Sequence, residues 1–165
     1  MEPDPQKFSQ AVAYASRLLG NREYAEKSLF EKLVKKGFSP SVAQSTIDFL
    51  KNNNWLSDAR FCQSFIRGKI SRGQGLVRVV YELKQHGVQT SLIDSILDEM
   101  AICWQTVCDG VIDKKLRASV VINDWQGRQK IERFLRYRGF SNEEIRQSID
   151  KYMKNLGVTS GEYDE

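Results

Sequence analysis

Proline is scarce in this sequence, with three residues in 165, and two of them fall within the first five positions. Long helices therefore meet almost no breakers after Pro40. Runs of alternating apolar and polar residues are hard to find, so strands are not expected. No apolar stretch approaches the ~20 residues a membrane-spanning helix needs. The start, "MEPDPQKF", lacks the basic region and apolar run of a secretory signal. Cysteine is sparse, and Cys62, Cys103 and Cys108 are odd in number and unpatterned, which argues against a disulfide framework. A reducing, cytoplasmic setting is expected. Histidine is rarer still. With His86 alone there is no ligand set for zinc and poor material for a hydrolytic triad.

Acid is locally absent too. From Ala59 to Tyr81 no Asp or Glu occurs, while Arg60, Arg67, Lys69, Arg72 and Arg78 do. The chain as a whole is only moderately basic, at net charge +4. That balance permits nucleic acid or an acidic protein as a partner and selects neither. Clustering carries more information than the total. Hydrophobic residues make up 41% and charged residues 28%, a composition that folds.

Three segments superimpose without gaps: "LFEKLVKKGFSPSVAQSTI", "VVYELKQHGVQTSLIDSIL" and "IERFLRYRGFSNEEIRQSI". Each sets apolar residues four apart and then a glycine four further on: Leu29/Leu33/Gly37, Val79/Leu83/Gly87 and Ile131/Leu135/Gly139. Phe38, Val88 and Phe140 follow the glycines. The spacing predicts a helix closed by a left-handed glycine, an apolar residue folding back over the last turn, and a second helix. Ser39 before Pro40, Thr90, and Ser141 with Glu144 are its expected caps. A further helix precedes each pair. Asp4–Pro5 opens one with Phe8, Ala11, Val12, Ala15, Leu18 and Leu19 on a face. Ser57–Asp58 opens another with Phe61, Phe65, Ile66 and Ile70, and the third carries Trp104, Val107, Cys108, Val111 and Ile112. The fold expected is all-α: nine helices in three tandem three-helix repeats, forming an elongated, curved array. The repeats are placed at residues 5–56, 57–101 and 102–155, with a loose acidic tail at 156–165. From Leu92 to Leu116 the apolar period hardly breaks, so one long helix competes with two joined near Ala101–Cys103.

The "GQG" of Gly73–Gly75 fails as a phosphate loop. A P-loop needs Lys then Ser or Thr at the helix start, and a dinucleotide site needs a preceding strand and a third glycine. These glycines are expected to separate two helices. Asp94, Asp98 and Glu99 read as a solvated acidic face. Trp55, Trp104 and Trp125 are expected to pack in the core or between units, and the cysteines to be small buried or half-buried thiols. His86 is placed in a last helical turn, where positive charge is favoured. No catalytic residue, cofactor or metal site is expected.

Arg60, Ser64, Arg67 and Ser71 share the helix face opposite Phe61, Phe65 and Ile66. Arg72 and Arg78 flank the following turn, and Lys84 lies further along the next helix. A second cluster, "QGRQKIERFLRYRGF", sets Arg128, Lys130, Arg133, Arg136 and Arg138 against Glu132 alone, with Tyr137 among them. Helix faces that merely dissolve usually mix signs, because intrahelical pairs stabilise them. Both clusters are read as binding faces whose guanidinium forks suit phosphates and carboxylates alike.

Taken together, "LGNREYAEKSLFEKLVKKGF", "WLSDARFCQSFIRGKISRGQGLVRVVYELKQHGV" and "KIERFLRYRGFSNEEI" resemble the RecX regulators of the bacterial recombinase RecA, over most of the chain. Leu76 stands where that family often has proline, His86 where it often has lysine, and Gly68–Lys69 where it often has a serine–arginine pair. The resemblance implies a three-repeat helical protein that binds along the groove of RecA–DNA filaments, and a monomer is expected. It would limit filament growth, ATP hydrolysis, strand exchange and the co-protease step of the SOS response without chemistry of its own. Direct contact with single- or double-stranded DNA is associated with the family. The residues expected to meet the filament or DNA are Arg60, Arg67, Lys69, Arg72, Arg78, Lys84, Arg133, Arg136 and Arg138. The competing reading is a helical DNA-binding module that acts without the recombinase.

Overall fold

A computed structural model describes residues 4–119 and 125–155. Among them are nine helices and no strand: α1 (Pro5–Leu19), α2 (Glu26–Lys36), α3 (Pro40–Asn52), α4 (Asp58–Ser71), α5 (Leu76–Gln85), α6 (Thr90–Met100), α7 (Trp104–Ser119), α8 (Trp125–Tyr137) and α9 (Asn142–Asn155). The tail expected over 156–165 lies outside the described residues.

Local chemistry sets several of the helix ends. The Asp4 carboxylate accepts from the Gln6 N–H ahead of Pro5, and the Ser39 hydroxyl from Val42 N–H ahead of Pro40. Ser141 and Glu144 satisfy each other's backbone N–H groups in a full capping box, at 2.8 and 3.2 Å. Thr90 does not play its expected part. It is already the first residue of α6, and the Gln89 carbonyl accepts the first helical bond from Ile93. Between α6 and α7 the chain breaks at Ala101, which takes φ 45°, so the ambiguous stretch is two helices.

One cap arrives from far along the chain. Ala25 has no side chain able to cap α2, and the Asp58 carboxylate accepts from Glu26 N–H at 2.8 Å across 32 residues. Burial lifts the Asp58 carboxyl above its ordinary range, against the lowering effect of that hydrogen bond. Ser57, just before it, caps α4 by accepting from Arg60 N–H.

The described residues fall into two compact units. One takes its described residues from Met1–Ile66 with Glu82–Met100, the other from Arg67–Tyr81 with Ala101–Glu165, so the division falls inside α4 and α5. In the first unit α1, α2 and α3 close on a core of Ala11, Ala15, Leu29, Leu33, Val42, Ala43, Ile47 and Leu50. In the second, α7 and α8 pack on α9 around Cys108, Ile112, Ile131, Leu135, Ile145 and Ile149. Leu33 and Leu135 occupy the same repeat position and are both fully buried. Burying a side chain of this size contributes about 1.5–3 kcal/mol.

Each unit also contains one junction between successive repeats, and the two junctions match. Gly37, Gly87 and Gly139 all adopt the left-handed conformation, at φ 108°, 82° and 92°. A Cβ on Gly37 would meet nothing within 4 Å. On Gly87 it would strike the Lys27 side chain of α2, and on Gly139 the Arg78 backbone nitrogen of α5 at 2.6 Å. The second and third glycine turns thus receive the start of the preceding repeat's second helix. Basic side chains help to satisfy orphaned carbonyls there: Lys27 Nζ donates to Gln85 O and Arg78 Nη1 to Tyr137 O, at 3.5 and 3.3 Å. At the first junction His86 Nδ1 lies 3.0 Å from the Ser28 hydroxyl, and its ring packs edge-on to Phe61 and Phe65.

A half-buried polar network ties α7 to α9. Asp109 accepts from Gln105, from the Ser148 hydroxyl and from Lys151 Nζ, the last at 2.6 Å. Burial pushes the Asp109 carboxyl up, but the three hydrogen bonds outweigh it and hold the group below the ordinary aspartate value of 3.8.

Two outcomes are expected. Gly37→Ala carries only the strain of a left-handed alanine, about 1–2 kcal/mol. Gly139→Ala adds a clash with α5 worth about 1–3 kcal/mol more, so its denaturation midpoint should fall further. Equal losses in parallel denaturant titrations would show that the junction is not tightly packed. Because the Asp109 carboxyl is lowered on folding, its contribution is present above pH 3.8 and is lost as pH falls through the folded value. Asp109→Asn should melt earlier at neutral pH and lose less on acidification than the parent. An unchanged acid-side slope would exclude the network as a source of acid sensitivity.

Candidate nucleic-acid and filament interface

The acid-free segment supplies the second half of α4, the glycine turn and the first half of α5. Its "GQG" now has a physical reason. The Gly75 N–H donates to Arg138 O at 2.8 Å and Val77 N–H to Gly139 O at 3.1 Å, so two backbones run in contact. A Cβ on Gly75 would fall on the Gly139 carbonyl and 2.6 Å from Phe140 N. Gly73 turns the chain at φ 68°. The loop is a docking turn between repeats, and α4 and α5 are the helices it separates.

The residues proposed for binding are divided between the two units. Arg60 belongs to the first and is engaged there: Nε bonds Glu23 at 3.1 Å and Nη2 donates to Asn54 O at 2.9 Å. Lys84, also in the first unit, is exposed.

The second unit holds the other seven. Arg67 and Arg72 are exposed and make no ion pair among the described residues. Lys69 is half-buried near the end of α4. Arg78 lies over the Tyr137 ring, 5.2 Å from its centroid, while bonding the Tyr137 carbonyl. Arg133 is exposed and reaches back to Gln129 O, and Arg136 shares the Asn142 side-chain oxygen through two nitrogens at 3.3 Å. Arg138 points inward: its Nη1 donates to the carbonyls of Arg72 and Gly73, and its guanidinium covers the Phe134 ring at 4.7 Å. The α4 face of Ser64, Arg67 and Ser71 is exposed opposite buried Phe61 and Ile66, as the spacing requires.

Several smaller expectations are corrected. Trp55 is half exposed, stacked edge-on against Phe49, and Trp125 at the head of α8 is 71% exposed, so neither is a core residue. Large apolar side chains in helical registers are most often buried, and the expectation followed that habit. Tyr81 and Tyr137 are also exposed, at 63% and 76%, which their place in the helical pattern does not announce. Cys62 and Cys108 are buried and their thiols pushed up to about 11 by burial. Cys103 is exposed instead, and hydrogen bonding from Thr106 lowers its thiol. Asp94, Asp98 and Glu99 are exposed, and no group of carboxylates, cysteines and histidine able to hold a metal occurs among the described residues. No described helix is long and apolar enough to cross a membrane.

These features define an all-helical tandem-repeat protein with arginine-rich surfaces. Comparison with known families assigns each repeat separately. The model "RecX, first three-helix domain" matches residues 11–50, "RecX, second three-helix domain" residues 57–97, and "RecX, third three-helix domain" residues 107–149. The chain belongs to the RecX family. It is 32% identical over 139 residues to a protein named "Regulatory protein RecX" of Halorhodospira halophila, spanning 84% of this chain and 86% of the relative. It is 36% identical over 140 residues to that of Actinobacillus pleuropneumoniae serotype 5b, spanning 85% and 91%. The crystal structure of RecX from Lactobacillus salivarius shares the fold at TM-score 0.72 and 16% identity, covering 88% of this chain and 96% of that one. A second RecX crystal structure gives TM-score 0.75 at 18% identity, covering 91% and 81%.

A contrast separates structural from surface arginines. Arg138→Ala should destabilise the protein by about 1–3 kcal/mol, since it strips two turn carbonyls of a charged donor. Arg67→Ala should stay within about 0.5 kcal/mol of the parent. Equal melting temperatures for the two variants would refute this division.

Proposed function

We propose that this protein is a non-catalytic regulator that binds RecA–DNA filaments and restrains them, limiting filament growth, ATP hydrolysis, strand exchange and co-protease action. Family membership supports a regulatory role, and the resemblance supplies the recombinase as target. The observation that carries the reading is the acid-free run from Ala59 to Tyr81, which holds Arg67 and Arg72 exposed and without ion pairs among the described residues. Such a surface attracts a polyanion or an acidic protein face. A recombinase–DNA filament offers phosphates along its length.

Binding of this type needs no reaction at the regulator. Occupying the filament would oppose subunit addition or the motions coupled to ATP turnover. The rival reading, a DNA-binding module acting alone, differs in its salt response. Neutralising Z phosphates on duplex DNA gives a slope of about −0.9Z in log K against log salt. Filament binding retains a salt-insensitive share from protein contacts.

Charge reversal at Arg67, Arg72 and Arg133 together tests the proposal, because Arg78 and Arg138, which build the junction, are spared. The triple Glu variant should lose inhibition of RecA ATP hydrolysis while its helical circular dichroism stays as in the parent. Undiminished inhibition would sink the assignment of these faces. Parent protein that binds bare DNA as well as it binds filaments, near physiological salt, would favour the rival.

A further inference from the structure

The α4–α5 segment and the end of α8 carry more than charge. Six large hydrophobic side chains are exposed among the described residues, and Val77, Tyr81 and Tyr137 are three of them. All three lie in the second unit, about one junction. Val77 N–H bonds Gly139 O, which brings the start of α5 against the turn just after Tyr137. Tyr81 is one helical turn beyond Val77 and three residues from Arg78, so the three share a side of α5. Arg78 links the helix to Tyr137, with its guanidinium over the ring and Nη1 on the Tyr137 carbonyl. The Tyr137 ring is thus held by a cation, yet the residue remains 76% exposed. Arg72 belongs to the same junction, since its carbonyl accepts from Arg138.

Two physical features select the occupant. The surrounding stretch offers Arg67 and Arg72 with no acid from Ala59 to Tyr81, which suits a chain of phosphates. The exposed rings suit something flat. In duplex DNA the base faces are stacked on each other and only phosphates and groove edges are offered. A single strand presents both, and aromatic side chains beside a basic track are the usual way of holding one without sequence preference. A guanidinium stacked on a ring widens the flat surface and adds its charge.

We infer that Tyr81, Arg78 and Tyr137 form a stacking site for the unpaired bases of single-stranded DNA, with Arg67 and Arg72 taking adjacent phosphates. This rests on the reading of these faces as binding surfaces and names what one of them holds. The site discriminates strands by their bases, whereas the arginines alone would discriminate only by charge.

The test compares binding of the full chain to labelled oligothymidine and to an abasic strand of equal length, by fluorescence anisotropy near physiological salt. The parent should prefer oligothymidine by at least about fivefold, the smallest effect expected from one stacked base. The double variant Tyr81→Leu, Tyr137→Leu keeps apolar area but removes the rings. It should lose that preference while binding the abasic strand as the parent does. The Phe double variant should retain the preference, and thermal melting should show all three proteins equally folded. Equal affinity of the parent for both strands overturns the inference. So does a Leu variant that keeps the preference, or one that keeps it while losing affinity for RecA filaments, which would make the patch a protein contact. Inhibition of RecA ATP hydrolysis is recorded in parallel. A parent that stacks bases but never slows hydrolysis would remove the filament proposal and leave the stacking site standing.

Discussion

The left-handed glycine at the middle of each repeat is the constraint from which the rest follows. Without a Cβ it closes a helix, and the same lack of a Cβ opens room for a neighbour. Gly87 and Gly139 use both properties: Lys27 and Arg78 occupy the space that a side chain would need. Gly37, in the first of the three repeats, has the same φ sign and open space instead. The repeat is therefore a folding unit and a docking unit at once. Helix termination leaves carbonyls unsatisfied, and the basic residue that covers the glycine also reaches one of them.

This coupling explains why compact units do not coincide with sequence repeats. The start of α5 is bound by backbone hydrogen bonds to the turn of the third repeat, while its end stays with the first repeat through His86 and Gly87. A cut inside α4 and α5 is what such junctions produce. The middle repeat is thus divided between the two units. Its arginines are divided accordingly, with Arg60 engaged by Glu23 in one unit and Arg67 exposed in the other.

The repeat, the glycine stops and the local caps were legible because they depend on residues a few positions apart. The three-residue spacing of Ser141 and Glu144 is itself the capping geometry. Capping of α2 by Asp58 was not legible, since the signal is a deficiency at Ala25 met by a residue 32 positions from Glu26. Arg138 was likewise read as a surface charge because its neighbours in sequence are charged. Its partners, the carbonyls of Arg72 and Gly73, are main-chain atoms that no side-chain pattern announces. The exposure of Tyr81, Tyr137 and Trp125 is a tertiary property of the same kind.

The two arginines nearest the junction show how one segment can serve structure and recognition together. Arg138 spends its guanidinium on the turn, so replacing it would disturb the platform before it disturbed any partner. Arg78 divides its role, anchoring the Tyr137 carbonyl while holding the ring's face. Arg67 and Arg72 spend nothing on ion pairs among the described residues. A surface built in this order has its rigid members inside and its available charge outside, which would lower the ordering cost of the flexible strand proposed to bind it. The "GQG" turn contributes to it: only a glycine at position 75 lets the backbone pass this close to Gly139, next to the turn whose Tyr137 Arg78 holds. The feature that most resembled a phosphate loop thus bears on recognition through packing, by fixing the residues that would do the binding.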